Sequence, residues 1–213
     1  LLEQYKKGVM QKIFSQELRF KDDNGNEYSD WEEKKLGDVC EMKNGYAFKS
    51  NSYSVNGKYN IVTISNVQNG YLDIKKINKI EDVPNECLKH QILEIGDLLI
   101  SLTGNVGRVC FVSELNCLLN QRVGKLIPKN ISKLFLFQLL RLEAFITQMI
   151  ADSQGGAQLN LSKPDIERYE IYLPSMSEQI KIATFLSTID EKINHCQAQI
   201  TNTEVWKKGL LQG

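Results

Sequence analysis

The chain has 213 residues, which is enough for one or two domains with a substantial buried core. It carries 26 basic and 26 acidic side chains, so there is no net charge to attract a polyanion from a distance. No apolar run approaches the length of a membrane span, and the first residues lack the layout of a signal peptide.

The cysteines indicate reduced, partly buried thiols in a cytoplasmic protein. There are five of them, scattered through apolar runs without a closely spaced pair: Cys40, Cys87, Cys110, Cys117 and Cys196. The only histidines are His90 and His195. This spacing gives no support to a zinc site or to a disulfide framework.

The chain begins with a predicted short amphipathic helix and a linker. Over residues 1–16, Leu2, Tyr5, Val9 and Ile13 recur at spacings of three and four, as on one face of a helix. Residues 17–30 are mostly polar and include an Asn-Gly pair, which indicates a turn. We therefore expect a linker between this helix and a following domain.

Residues 31–174 are predicted to form a mixed domain. Runs rich in β-branched residues predict strands at residues 60–65, 98–102, 106–112, 123–128 and 169–173. A broad apolar face predicts a helix over residues 133–150, and Ser162 with Pro164 indicates the start of another. Gly104 and Gly107 lie between two strand-like runs, which favours a hairpin over a phosphate-binding or RNA-binding glycine loop.

Residues 175–213 are predicted to form one long helix with Ser177 as its N-cap. Apolar residues alternate at spacings of four and three in most of it: Ile182, Leu186, Ile189, Ile193, Cys196, Ile200, Thr203 and Leu210. This alternation is typical of a coiled-coil seam. About 35 residues make a rod of about 50 Å, which needs a second helix along its apolar edge. A helix folded back over its own domain is the alternative.

The two ends of the chain resemble each other. Residues 3–11 (Glu-Gln-Tyr-Lys-Lys-Gly-Val-Met-Gln) and residues 204–212 (Glu-Val-Trp-Lys-Lys-Gly-Leu-Leu-Gln) are identical at five of nine positions. We interpret the chain as one period of a longer repeat. Chance similarity between two amphipathic helix ends is the other explanation.

Six sequence blocks, in collinear order, carry a resemblance to a known family. They are residues 31–39 (Trp-Glu-Glu-Lys-Lys-Leu-Gly-Asp-Val), 44–49 (Asn-Gly-Tyr-Ala-Phe-Lys), 64–67 (Ile-Ser-Asn-Val), 96–101 (Gly-Asp-Leu-Leu-Ile-Ser), 119–122 (Leu-Asn-Gln-Arg) and 171–183, with Leu173-Pro174 and Glu178-Gln179. Together they resemble the specificity subunit of type I restriction-modification systems. The resemblance implies an α+β fold, in which a mixed target recognition domain precedes a long coiled-coil helix that acts as a spacer. Such subunits contain each part twice, so this chain resembles one half, either natural or cut from a longer protein.

The resemblance also implies a reader of double-stranded DNA that is not an enzyme. It would bind no cofactor itself; modification subunits would bind S-adenosylmethionine and methylate adenine, and a restriction subunit would use ATP and Mg²⁺. Two half subunits would pair through the long helix, with Ile182, Leu186, Ile189, Ile193, Ile200 and Leu210 at the seam. Residues 31–173 carry 17 basic and 16 acidic groups. We therefore expect partner subunits to supply most phosphate contacts, and weak DNA binding by this chain alone.

Amide and guanidinium side chains at the ends of apolar runs are the predicted DNA contacts. Arginine can pair with two acceptors of guanine, and asparagine or glutamine with the donor and acceptor of adenine. The candidates are Tyr46, Lys49, Ser65, Asn66, Thr103, Asn105, Arg108, Gln121, Arg122, Gln154, Gly155, Gly156, Gln158 and Asn160. Each of these groups also has an alternative role. Residues 120–122 and 155–158 would belong to the framework of the domain. Asn105 and Arg108 would stabilise the hairpin, and Tyr46 and Lys49 would be ordinary surface residues.

Two other functions compete with this hypothesis. The chain has the features expected of a recognition domain from a single-chain restriction-methylation enzyme, although it lacks an Asp/Asn-Pro-Pro-Tyr methyltransferase motif of its own. It also fits a coiled-coil scaffold that binds only proteins. Methyltransferase motifs upstream would identify the fused enzyme, and binding without sequence preference would identify the scaffold.

Overall fold

The computed structural model describes residues 1–153 and 159–211, without the side chains of residues 209–211. Its helices are α1 (Leu2–Phe14), α2 (Leu36–Val39), α3 (Lys133–Leu139), α4 (Glu143–Asp152), α5 (Lys163–Glu167) and α6 (Met176–Leu211). Its strands are β1 (Glu32–Lys35), β2 (Cys40–Asn44), β3 (Tyr59–Val62), β4 (Asn78–Ile80), β5 (Ile92–Leu93), β6 (Leu98–Ser101), β7 (Val109–Phe111), β8 (Cys117–Leu119), β9 (Val123–Pro128) and β10 (Glu170–Leu173). The predicted α+β class, with a short N-terminal and a long C-terminal helix, is confirmed.

The chain divides into two compact units, one made of Leu1–Asp30 with the segment from Pro174 onward, the other of Trp31–Leu173. In the first unit, α1 packs against α6. Ile13 of α1 is fully buried and Met10 nearly so. The Lys6 ammonium donates to both carboxylate oxygens of Asp190 on α6, each at 2.6 Å. The predicted linker after α1 therefore leads away from a helix that is fixed by apolar packing and a charge pair.

A buried ion pair lies at the beginning of α6. The Glu178 carboxylate is fully buried, and it accepts from Arg19 Nε at 3.0 Å and from Nη2 at 2.9 Å. The hydroxyl of Ser175 accepts from the Glu178 backbone N–H at 3.4 Å. The predicted cap Ser177 is therefore wrong, because the helix begins one residue before it and Ser175 occupies the capping position. Gln179 is also buried, and its side chain donates to the Pro174 carbonyl at 2.8 Å.

The apolar seam of α6 is buried only along its first half. Ile182 and Leu186 are fully buried and Ile189 is 7% exposed, whereas Ile200 is 53% exposed. Ile193 is intermediate. The predicted seam residue Leu210 belongs to α6, but its side chain lies outside the described part.

The second unit contains three sheets. One four-stranded sheet has the order β2-β9-β6-β7, the other has the order β4-β3-β8-β5, and β1 pairs with β10. All pairs are antiparallel except β3 and β8. A core cluster joins strands of both larger sheets and includes Val62, Leu99, Cys110, Leu119 and Val123. The loops that leave these strands are therefore held by a close-packed core.

The predicted strands exist, although most are shorter than expected. The strand predicted at residues 123–128 is confirmed in full, while that at 106–112 is reduced to β7, because residues 102–108 form the predicted hairpin turn. Gly104 and Gly107 have φ angles of 70° and 78°, which suit glycine in such a turn. The short helix with the Ser162 cap and Pro164 in its first turn is confirmed as α5.

The single helix predicted over residues 133–150 is wrong. The chain forms α3 and α4 instead, bent by 69° at their junction. Leu142 has the extended backbone of an N-cap, so α4 starts anew and each helix buries its own apolar face. Among the described residues, no single helix is long and apolar enough to span a membrane; the bent pair passes that test only when both helices are combined.

Candidate nucleic-acid interface

Two of the family-like blocks lie directly against each other. The Tyr46 backbone N–H donates to the Leu119 carbonyl at 2.8 Å, and the Gln121 N–H donates to the Tyr46 carbonyl at 2.9 Å. A Cβ atom on Gly45 would lie 2.1 Å from the Asn120 carbonyl oxygen, so only glycine permits this approach. The Asn120 side chain accepts from the Arg122 N–H at 3.2 Å. This backbone unit presents the side chains of Gln121 and Arg122, which are both exposed.

The β6–β7 hairpin adds a second pair of predicted residues. The Gly104 N–H donates to the Leu159 carbonyl at 3.1 Å, and the Leu161 N–H donates to the Leu102 carbonyl at 2.7 Å. Thr103 and Asn160 therefore face each other in an antiparallel bridge. The Leu102 N–H also donates to the Arg122 carbonyl at 3.0 Å, which joins the hairpin to the previous unit.

These segments surround a cleft of about 710 Å³. It is lined by Asn44, Gly45, Leu102, Thr103, Gln121, Arg122, Leu159, Asn160, Leu161, Ser162 and Lys163. Four predicted site residues, distant in sequence, thus converge: Thr103, Gln121, Arg122 and Asn160. Asn44 and Lys163 are lining residues that the sequence prediction missed, although each lies within a motif singled out there, the Asn-Gly-Tyr block and the α5 cap.

The hydroxyl of Thr103 is the polar group in this cleft that most clearly needs a partner. Its oxygen is buried and has no hydrogen-bond partner among the residues that the structure describes. A buried hydroxyl without a partner costs free energy, and a bound ligand or water normally satisfies it. The Thr103 hydroxyl therefore lies unsatisfied beneath the lining of the cleft, and a ligand would reach it only after the surrounding side chains moved.

The charges around the cleft are unevenly compensated. Lys163 lies 3.4 Å from Glu167, whereas Arg122 makes no ion pair with any described residue. Burial alone would raise the pKa of Asp165, but hydrogen bonds from the Ser162 hydroxyl and N–H, with Arg168 nearby, hold it below its ordinary value. This carboxylate caps α5, and the exposed positive charge of the cleft comes from Arg122.

A second predicted group lies on the loop of residues 63–73 and on the hairpin. Asn66 is 2% exposed, and both ends of its amide make hydrogen bonds: the oxygen accepts from the Thr63 N–H and hydroxyl, and the nitrogen donates to the Asp73 carbonyl. These contacts favour a framework role for Asn66. Ser65 is exposed beside it, and Ile64 approaches Gly104 of the hairpin, which brings this loop next to the cleft segments.

The other predicted contacts are placed as follows. Asn105 is exposed at the hairpin tip, Lys49 is exposed, and Tyr46 is half-buried with its ring 5.0 Å from that of Phe48. Gln154, Gly155, Gly156 and Gln158 lie outside the described residues, so their role stays a prediction. Within residues 1–153 and 159–208, no group of His, Cys, Asp or Glu side chains is arranged to hold a metal ion.

Several known proteins with similar sequences are named as specificity subunits. The family model described as "Type I restriction modification DNA specificity domain" matches residues 28–203. In Methanocaldococcus jannaschii, the putative type I restriction enzyme MjaX specificity subunit is 27% identical over 96% of this chain, and the MjaVIII specificity subunit 29% identical over 99%. This chain spans about half of those relatives, 50% and 52% of their lengths. The prediction of a specificity subunit, and not an enzyme, agrees with these names.

The same fold occurs in solved structures. The HsdS subunit from Thermoanaerobacter tengcongensis superimposes with a TM-score of 0.65 at 19% identity, over 92% of this chain and 46% of that one. A chain from a structural study of complex assembly and conformational transition of the type I R-M system gives 0.63 at 18% identity, over 98% of this chain and 51% of that one. With most of its length matched by the family model, this chain belongs to the type I restriction-modification DNA specificity family.

Proposed function

We propose that this chain reads one half of a bipartite DNA site and seats the modification and restriction subunits of a type I restriction-modification complex. The observation that carries the proposal is the convergence of Thr103, Gln121, Arg122 and Asn160 on one cleft. These side chains offer the amide, hydroxyl and guanidinium groups that pair with base edges, and a rigid backbone unit holds them together. Membership of the specificity family supports DNA as the ligand.

The partners of this chain would supply the chemistry and much of the DNA affinity. Equal numbers of acidic and basic groups in the chain support phosphate contacts by modification subunits, which would carry S-adenosylmethionine. A restriction subunit would carry ATP and Mg²⁺. This chain would bind no cofactor, and the assembled complex would act on DNA in the cytoplasm.

Methylation mapping in cells that carry the full-length protein with its partner subunits tests the DNA-reading proposal. We expect methylation at one bipartite motif. In the Arg122→Gln variant, we expect methylation to fall, or the sequence requirement to relax, by about 10-fold, and only for one half of the motif. Lys58→Gln is the matched control, because it also removes one positive charge but from an exposed pair with Glu81 outside the cleft. Methylation that depends on no sequence motif would contradict the proposal and favour a protein scaffold.

We also propose that a second helix covers the exposed half of the α6 seam and that the pair sets the distance between two half-sites. On the seam itself, Ile200 is 53% exposed and Cys196 is exposed as well. Val205 and Trp206, 65% and 67% exposed, lie on other faces of the same two turns, and together this apolar surface favours a protein partner. The partner would be the equivalent helix of a second half, in the same chain or in a second copy.

Thiol labelling provides a test of this helix pairing. Burial raises the pKa of Cys40 and Cys110 to about 12 and that of Cys117 to about 11, so these thiols are expected to resist alkylation at pH 8 until the protein unfolds. Cys196 is exposed on α6. We expect mass spectrometry to show Cys196 labelled at least 10-fold more slowly in the assembled complex than in the isolated chain diluted until it is monomeric. Equal labelling in both would contradict a helix partner at this position.

A further inference from the structure

The side chain of Gln68 connects two parts of the proposed DNA-reading surface. Its Oε1 atom accepts from Nη1 of Arg108 at 2.9 Å, and its Nε2 atom donates to the Ser65 carbonyl at 2.8 Å. Turning the amide over would place donor against donor at Arg108 and acceptor against acceptor at Ser65. The orientation of the Gln68 amide is therefore determined by its two partners.

The loop that carries Gln68 is itself held in place. The Gln68 N–H donates to the Tyr71 carbonyl at 3.1 Å, and the Asp73 N–H donates to the Asn66 carbonyl at 2.8 Å. Val67 is fully buried in the core below. Together with the engaged amide of Asn66, these contacts make the loop a firm support for the Gln68 side chain.

Arg108 is fixed from its backbone outward as well. Its N–H donates to the Ser101 hydroxyl at 3.1 Å, and its carbonyl accepts from the Ser101 N–H at 2.9 Å. The guanidinium therefore has a fixed origin on the hairpin and a fixed contact at Nη1. An arginine held at both ends loses little conformational entropy when it binds a ligand.

The charge of Arg108 is not neutralised by any residue in the described part of the chain. Its side-chain partner there is the neutral Gln68, whereas Arg168 of the same unit lies 3.1 Å from Asp165 and 3.4 Å from Asp152. The Nε–H and Nη2–H groups of Arg108 form a parallel pair of donors on the edge away from Nη1. Among the described residues nothing accepts from this edge.

We propose that Arg108 reads a guanine in the half-site and that Gln68 is the residue that positions its guanidinium. The inference rests on the proposed DNA-reading function, and it names one base that is recognised and one residue that positions the arginine. A free edge with two parallel donors matches the O6 and N7 acceptors that guanine presents in the major groove. By holding Nη1 with a neutral acceptor, Gln68 aims this edge without cancelling its charge.

Methylation mapping of the full-length protein with its modification subunits tests the inference, with four variants compared. Arg108→Lys keeps the charge but loses the paired donors, so discrimination at one G·C pair should fall about 10- to 100-fold. Gln68→Leu should relax the same position by about 3- to 10-fold, because the guanidinium loses one hydrogen bond. Gln68→Glu keeps an acceptor for Nη1, although its second oxygen faces the Ser65 carbonyl, and its charge offsets that of the guanidinium. It should therefore weaken methylation overall and relax the G·C position no more than Gln68→Leu does.

Arg168→Gln is the matched control, because it removes an arginine of the same unit that is paired with acids, and it should leave the motif unchanged. A half-site without a G·C pair, or an Arg108→Lys variant with an unaltered motif, would overturn the inference. Equal weakening at every sequence would also overturn it, since that is the result expected of a phosphate contact. The outcomes separate the two proposals: a wild-type complex without any motif contradicts both, whereas a wild-type motif that Arg108→Lys does not relax contradicts only this one.

Discussion

Replacing Arg19 with alanine is expected to lower the free energy of unfolding by about 3–5 kcal/mol. The change leaves the Glu178 carboxylate, which has no exposed side-chain surface, without the bidentate partner that now donates to both of its oxygens. A buried carboxylate that keeps its charge but loses this guanidinium costs free energy. Urea denaturation of the wild-type and variant chains, followed by far-UV circular dichroism, measures the difference.

Two further variants show whether the loss comes from the buried Glu178 carboxylate that no longer has its arginine. The double variant Arg19→Met with Glu178→Met removes both charges, so it should recover much of the lost stability. Lys21→Ala is the surface control, since Lys21 and Glu27 are 61% and 65% exposed and their pair should contribute no more than about 0.5 kcal/mol. Equal effects of Arg19→Ala and Lys21→Ala would contradict a buried ion pair at the start of α6.

This ion pair also illustrates what a sequence pattern leaves unexplained. Glu178 and Gln179 belong to a block that carries the family resemblance, but the residue that requires a glutamate there is Arg19, 159 positions away. Nothing in the local pattern indicates that a charged residue in the first turn of a helix is fully buried, because such residues usually cap helices in solvent. The block can be recognised from the sequence, whereas its physical reason appears only in the tertiary structure.

The strands also differ in whether the local sequence explains them. Strand β6 is predictable because burial on both faces produces a continuous apolar pattern, Leu-Leu-Ile-Ser. Strand β1 was missed because its sequence, Glu-Glu-Lys-Lys, carries no apolar residue, and it is extended through its pairing with β10. The break between α3 and α4 was missed because neither glycine nor proline marks it.

The candidate site was predictable in its residue types and not in its assembly. Polar clusters at the ends of apolar runs indicate loops that present donors and acceptors. Four of the residues selected in this way, Thr103, Gln121, Arg122 and Asn160, line one cleft, while their contact with DNA stays a prediction. Gln68 was missed because its role depends on the orientation of one amide between Ser65 and Arg108. Such contacts join segments that are about 40 residues apart in sequence, and no periodic pattern records them.

The close approach at Gly45 predicts a large effect of adding a single methyl group there. In Gly45→Ala the new Cβ would lie 2.1 Å and 2.3 Å from the carbonyl oxygen and carbon of Asn120, both backbone atoms that cannot rotate away. Residues 44–46 must therefore separate from residues 119–121, with loss of the two backbone hydrogen bonds that join Tyr46 to Leu119 and Gln121. We expect the free energy of unfolding to fall by about 2–4 kcal/mol, as measured by urea denaturation.

Gly45→Ala also tests whether the contact at Gly45 supports the function of the cleft. Because Gln121 and Arg122 follow the displaced carbonyl directly, methylation by the assembled complex should fall with Gly45→Ala even at temperatures where the variant is folded. Gly8→Ala is the matched control: a Cβ on Gly8 meets no atom within 4 Å, so the same added methyl group in α1 should raise stability, by at most about 1 kcal/mol. A Gly45→Ala protein with wild-type stability would mean that the Asn-Gly-Tyr and Asn-Gln-Arg blocks do not pack together, and the cleft would then lose the support on which its proposed reading of DNA depends.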